Sequence, residues 1–369
     1  IGNLEYISTV QSGSRLAIIN DTEVRGIQPS RVANPNLKWE TTEQLDIGVD
    51  LSIFEGRFNV TADYFIKDTK DMLYNMPLPE STGFGSKRDN IGSMRNQGIE
   101  LLVNSINIQK RNFDWSTTLN FTTIKNEVTS LGGLNELVAW YSIIKEGEPL
   151  HSYYGYTVLG MFQQDDNIAE SAQPGAVPGQ PKFKDINNDN KIDAEDMSII
   201  GKPMPDFTYG LQSSLSYKNF QFDFFIQGQE GASLLNYSLI ESLYPQQVRR
   251  NRIATTALDR WTVDNPDAKW PSMVNTEDYG GGRLFNTLTL LDASYIRLKN
   301  VKFSYDIPIR NSNFLKYLQV YVTGQNLFTI TDYIGPDPET NSQGRGVARL
   351  DKSSYPQART WLFGAKVNF

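Results

Sequence analysis

The stretch 185–196, DINNDNKIDAED, holds the densest set of hard oxygen donors in the chain. Counted from Asp185, the side chains of Asp185, Asn187, Asp189, Asp193 and Asp196 fall at positions 1, 3, 5, 9 and 12; Lys191 at 7 offers a backbone carbonyl, and Ile192 at 8 is apolar. That is the spacing of a helix-loop calcium site, where about six to eight oxygens come from a segment that curls round the ion. Two positions depart from the pattern. Asn190 stands where a glycine makes the sharp turn, although asparagine tolerates a left-handed backbone, and Asp196 replaces the longer, bidentate glutamate. The expectation is Ca²⁺, with Mg²⁺ as the alternative, held by Asp185, Asn187, Asp189, Lys191, Asp193 and Asp196. The plainer reading is a solvated acidic turn.

The second group able to do chemistry is aromatic. Trp140, Tyr141, Tyr244, Trp261 and Trp270, with Tyr153, Tyr154 and Tyr279, lie in long stretches without strand periodicity. Flat rings in loops stack on sugar faces or peptide side chains, so the first five are candidate substrate-binding residues. Packing inside the loops is the competing expectation. Carboxylates such as Asp165, Asp166, Asp264 and Asp267 share these stretches, but nothing pairs two of them across one bond as a glycosidase requires. There is no nucleophile motif or phosphate-binding glycine loop, and no enzyme is expected. Zero cysteines and a single histidine, His151, exclude disulfides, thiolate chemistry and a zinc cluster. A net charge of -7 without a basic cluster argues against nucleic acid.

These loops need a frame, and the frame is written in period two. Leu45, Ile47, Val49, Leu51 and Ile53 alternate with polar residues, and Phe54–Arg57 turns the chain into Phe58, Val60, Ala62, Tyr64 and Ile66. The pattern returns at Ile99–Val103, Phe113–Phe121, Tyr209–Tyr217, Phe220–Ile226, Tyr295–Tyr305 (with a phase slip between Leu298 and Val301 that implies a bulge) and Leu318–Val322. It ends at Trp361, Phe363, Ala365, Val367 and Phe369. About nine strands are expected over residues 42–369. Residues 1–41 are expected to be an extracellular loop, and other long loops are placed near 131–206, 236–292 and 331–358. No run of 18 apolar residues occurs, so no transmembrane helix is expected.

Short connections near Glu55, Lys110, Lys218 and Arg310 strictly alternate with long ones, so all long loops fall at one end. An all-β transmembrane antiparallel β-barrel is built this way, with short periplasmic turns and long extracellular loops. Bacterial single-chain barrels have even strand counts, a nine-stranded sheet with two free edges invites pairing, and Ile1-Gly2-Asn3 resembles a start within a protein; the chain is expected to be the C-terminal part of a larger barrel.

The segments NPNLKWETTEQLDIGVDL, ADYFIKDTKDML, RNQGIELLVN, FKDINNDNKIDAEDMSIIGKPMPDFTYG, ASYIRLKNVKFSYDIP and YVTGQNLFTITDY, with the final Phe369, resemble the C-terminal part of the SusC/RagA-type TonB-dependent outer-membrane transporters. The resemblance covers nearly the whole chain. It implies a large, about 22-stranded barrel, outer-membrane lipid around it, and a plug domain with a TonB-contacting segment that is absent from this chain. It further implies a SusD-like surface lipoprotein as partner and TonB-driven import of a glycan or an oligopeptide. The competing class is a secreted calcium-dependent β-sandwich binding module, an adhesin or lectin.

Overall fold

The computed structural model describes residues 6–19, 21–243, 254–272, 285–309, 314–342 and 348–369. The chain opens with a hairpin, β1 (Thr9–Ile19) and β2 (Thr22–Arg31), which pairs only with itself. Much of the stretch 1–41, expected to be an extracellular loop, is this β-ribbon. Its alternation is masked in the sequence because the register shifts at Thr9/Val10 and again between Ser12 and Leu16. At its base Asn34, almost fully buried, donates from Nδ2 to the Arg88 carbonyl (3.0 Å) and to Asp89 Oδ1 (2.9 Å).

The frame begins with β3 (Thr41–Ile53), β4 (Phe58–Pro77), β5 (Ser86–Lys110) and β6 (Phe113–Ser130). A long excursion then carries six short strands: β7 (Glu136–Ala139), β8 (Ser142–Lys145), β9 (Ser152–Gly155), β10 (Val158–Met161), β11 (Pro181–Phe183) and β12 (Ser198–Gly201). The frame resumes with β13 (Phe207–Tyr217) and β14 (Phe220–Glu230). A second excursion holds β15 (Ser233–Asn236), two short helices, α1 (Tyr237–Leu243) and α2 (Ala254–Leu258), and β16 (Leu290–Asp292). It leads to β17 (Tyr295–Asp306) and β18 (Tyr317–Ile330); a third, containing β19 (Leu350–Asp351), leads to the closing β20 (Thr360–Asn368).

Strands β3, β4, β5, β6, β13, β14, β17, β18 and β20 form one nine-stranded sheet, each pairing with the next along the chain. Every pair is antiparallel. The expected bulge is present: Phe225 faces Asn300 while Ile226 faces Leu298, so Lys299 is the extra residue. The tight turns are built for their backbone. Phe54, Glu55 and Gly56 all take positive φ (55°, 58° and 82°), and Lys218 does so at the next hairpin (56°), which is the left-handed geometry that two-residue hairpins favour.

Register fixes what each face presents. Leu211 of β13 faces Leu119 of β6 and Ile226 of β14; Phe222 faces Leu215 and Phe303; Val49 faces Ala62, which faces Leu101; Val322 faces Phe363. One face is therefore apolar across all nine strands. The opposite face carries Asp50, Thr61, Asn104, Thr118, Gln212, Ser214, Asp223 and Lys302. No part of the chain covers the apolar face at the edge strands: Val49 is 53% exposed, Ile47 58% and Phe363 76%. Even the shortest wall strand, β20 with 9 residues, at ~3.3 Å rise and ~40° tilt spans roughly 20–25 Å, the height of the lipid-facing band of a membrane barrel. A sandwich in water would turn this face inward, so the structure is that of a membrane barrel wall. Its lower rim is aromatic: Phe220 lies 4.6 Å from Tyr305 and Phe314 4.9 Å from Phe369, ring centre to ring centre.

Candidate functional site

The buried apolar residues lie mainly in the long loops, which form a layer over one end of the sheet. Strands β12, β9, β8 and β7 make a small four-stranded sheet, and β16, β15 and β19 a three-stranded one. Between them Tyr141, Tyr153, Leu235, Leu239, Leu243, Trp270, Phe285 and Leu350 share one core. Residues from all three excursions meet in it. The Tyr141 hydroxyl donates to the Ala348 carbonyl (3.0 Å), the Tyr153 hydroxyl to the Arg349 carbonyl (2.7 Å), and Leu235 pairs with Leu350 in parallel. Burial pushes both tyrosine hydroxyls up, so they stay protonated donors.

Three of the candidate aromatics pack inside the loops, as the competing expectation has it. Tyr141, Trp261 and Trp270 are buried, and Trp270 is only 3% exposed; their rings hold loops together. The Trp261 Nε1 hydrogen donates to Gln163 Oε1 (3.0 Å), and the Lys269 ammonium sits 4.9 Å over the Trp270 ring. Tyr244 and Tyr279 lie outside the described residues. Trp140 differs from the rest. At the tip of the β7–β8 hairpin it is 59% exposed, and the rings of Phe285 (5.2 Å), Tyr141 (5.5 Å) and Tyr237 (5.6 Å) stand against it. The three rings fix the orientation of the exposed indole.

The acidic stretch 185–196 does curl. Asn188 and Asn190 take positive φ (59° and 63°), Asn190 supplying the turn expected of it. Asp185 accepts from the Asn188 and Asn190 N–H groups (2.7 and 2.9 Å), Asp189 from Lys191 N–H (2.9 Å), and Asn187 Oδ1 from Asp189 N–H (3.1 Å). Buried Ile192 packs on Tyr156 and Phe183, fastening the loop to the layer below. Asp196 stands apart from the other carboxylates. Only 1% exposed, it accepts from Ile186 N–H (2.8 Å) and Asp193 N–H (2.9 Å), one on each oxygen. It thus closes a capping box with Asp193 at a short 3₁₀ turn. Its place in the loop is that of an internal brace, and among the described residues no three Asp, Glu or His side chains converge as a metal cluster.

A residue that the sequence reading missed is Arg297. Buried at 2% exposure on the polar face of β17, it donates from Nη2 to Asp337 Oδ1 (2.8 Å), from Nη1 to Glu339 Oε2, and from Nε to Thr329 Oγ1 (2.8 Å). Glu339 also accepts from the Tyr295 hydroxyl (2.6 Å) and Gln227 Nε2 (3.0 Å). Burial alone raises the Asp337 carboxyl, but the Arg297 hydrogen bond and the N–H groups of Glu339 and Gln357 outweigh it and hold the group below the usual carboxylate range. A carboxyl depressed by folding contributes stability above its unfolded pKa and loses it as pH falls through the folded value; the cluster is therefore intact at neutral pH and weakens only in acid. The one available signal was the run GPDPE at 335–339 just after a strand, and nothing local ties it to an arginine about forty residues earlier.

An antiparallel wall with an outward apolar band, capped at one end by folded long loops and turned tightly at the other, defines an outer-membrane β-barrel sector. The chain belongs to the TonB-dependent receptor-like β-barrel family, whose model matches residues 8–327. It is 35% identical to TonB-dependent receptor P3 of Formosa agariphila over 99% of its length, covering 38% of that protein. It is 28% identical to TonB-dependent receptor SusC of Bacteroides thetaiotaomicron, over 91% of the chain and 32% of SusC. It superposes on the RagAB peptide transporter with a TM-score of 0.81 and 26% identity, covering all of this chain and 39% of that one. The chain thus spans about a third to two fifths of these relatives. Its place is the outer membrane.

Proposed function

We propose that this chain forms the C-terminal wall and part of the outer mouth of a TonB-dependent importer of glycans or oligopeptides that works with a SusD-like surface lipoprotein. The observation that carries the reading is the pairing of a lipid-facing wall with a single folded cap of three loops. The similarity to SusC and to the RagAB peptide transporter supports it. No step of covalent chemistry belongs to this function. The cap binds and positions cargo, Trp140 supplies a stacking surface, and energy comes through TonB acting on another part of the receptor. The test is growth on a panel of oligosaccharides and oligopeptides as sole nutrient, comparing cells with and without the receptor. Loss on one member, restored by the intact gene, is expected; unchanged growth on all, in cells shown to display the receptor, would overturn the reading.

Calcium, with magnesium as the alternative, belongs to the same proposal. Each oxygen of Asp185, Asn187 and Asp189 that accepts one N–H keeps a second lone pair, and Lys191 and Asp193 complete a set of hard donors. The role is structural: an ion would pin the turn at the mouth. Amides of 186–195 in the intact receptor should exchange more slowly in calcium than in a chelator, and equal rates would leave a solvated turn.

A further inference from the structure

The last long loop touches both other excursions. At its start, Asp337 and Glu339 are tied to Arg297 in the wall. Lys299, 3.8 Å from Glu339, brings the cluster to two cations and two carboxylates. Gln357, near the end of the same loop, donates from its N–H to Asp337 Oδ2 (3.1 Å) and from Nε2 to Glu339 Oε2 (3.0 Å), so both ends of the loop meet at one point of the wall. The middle of the loop passes through the cap core. Ala348, Leu350 and Asp351 are fully buried. They are held by the Tyr141 and Tyr153 hydroxyls from the first excursion, by β15 from the second, and by the Tyr333 hydroxyl on Asp351 Oδ2 (2.6 Å).

Buried charge pairs demand near-complete satisfaction of their hydrogen bonds, and losing one member leaves the other uncompensated. All three guanidinium nitrogens of Arg297 are used, so the cluster has one stable arrangement. We propose that Arg297 with Asp337 and Glu339 is the clamp that seats the shared core of the three loops on the barrel wall, residues 348–351 passing its hold to the other two excursions. The shared core then docks and releases as one body, beside the first excursion's own anchor on β6 through Val128, Leu131 and Ile144, and Arg297 is a positioning residue for that core. This goes beyond the import reading and holds independently of it. Three loops docked separately are the contrary case.

The experiment is hydrogen exchange on the intact receptor in detergent, comparing the wild type with Arg297→Met and Glu339→Gln. In Arg297→Met, amides of 333–342 should exchange faster by about tenfold or more. Those of Leu350–Asp351, Ser233–Asn236 and Ser152–Gly155 should accelerate by a similar factor, while β13 and β14 of the wall keep their protection. Acceleration confined to 333–342 would overturn the proposal, because the loop would then be held locally and the rest of the cap without it. Should Arg297→Met fail to assemble, Glu339→Gln carries the same two outcomes at smaller amplitude, since it leaves the pair of Arg297 and Asp337 in place.

Discussion

Leu211→Arg should destabilise the inserted barrel by about 2–4 kcal/mol and cut the amount of folded receptor in the membrane severalfold. Leu211 sits in the middle of the apolar band between Leu119 and Ile226, where a cation meets hydrocarbon with no partner. The neighbouring substitution Gln212→Arg is the control. Gln212 points to the other face, opposite Thr118 and Phe225, where water and polar groups are at hand, so its cost should be within about 1 kcal/mol. The two variants differ by one position along the strand, and period two places them on opposite sides of the wall. Heat-modifiable mobility of the folded band and a denaturant titration in detergent read both. Equal tolerance of the two would mean that this face does not meet lipid.

Gly98→Val is expected to be comparably severe for a steric reason. A Cβ built at Gly98 would lie 1.9 Å from the Thr123 carbonyl oxygen on the adjoining strand and 3.1 Å from Cε1 of Phe65. A backbone carbonyl has nowhere to yield inside a paired ladder, so β5 and β6 would part locally or Phe65 would leave its seat. Overpacking of this kind costs about 1–3 kcal/mol, with valine above alanine. Gly85→Ala is the matched control, because nothing lies within 4 Å of the added carbon. Unfolding midpoints of the two variants should separate clearly, and a Gly98→Val receptor as stable as Gly85→Ala would refute the strand contact described here.

The wall was legible in the sequence because its two faces meet different solvents. Lipid selects Leu45 to Ile53 at alternate positions, and hairpin chemistry leaves Phe54-Glu55-Gly56 and Lys218-Asn219 as marks between strands. Even the bulge at Lys299 showed as a phase slip. The β1–β2 ribbon was not legible, because register shifts break its alternation. The loops failed for another reason. Whether Tyr141, Trp261 or Trp270 faces water depends on partners such as Ala348, Gln163 and Phe285, up to two hundred residues away, and period carries no trace of them. Trp140 and Tyr141 are neighbours of like chemistry, yet one is exposed and the other buried. The stretch 185–196 shows the same limit: spacing grouped Asp196 with its neighbours and carried no trace of its burial or of its bonds to the Ile186 and Asp193 amides.

The central claim, that this sheet is a membrane wall with its apolar face in lipid, is tested most directly by nitroxide labels at positions 47 and 50 of β3 in the intact receptor reconstituted in bilayers. Ile47 lies on the uncovered apolar face, and Asp50 on the opposite one, where it accepts from Thr61 Oγ1 at 2.6 Å. The label at 47 should be relaxed strongly by oxygen, which concentrates in hydrocarbon, and weakly by a water-soluble nickel chelate; the label at 50 should show the reverse. Equal accessibility of the two positions to both reagents would contradict it.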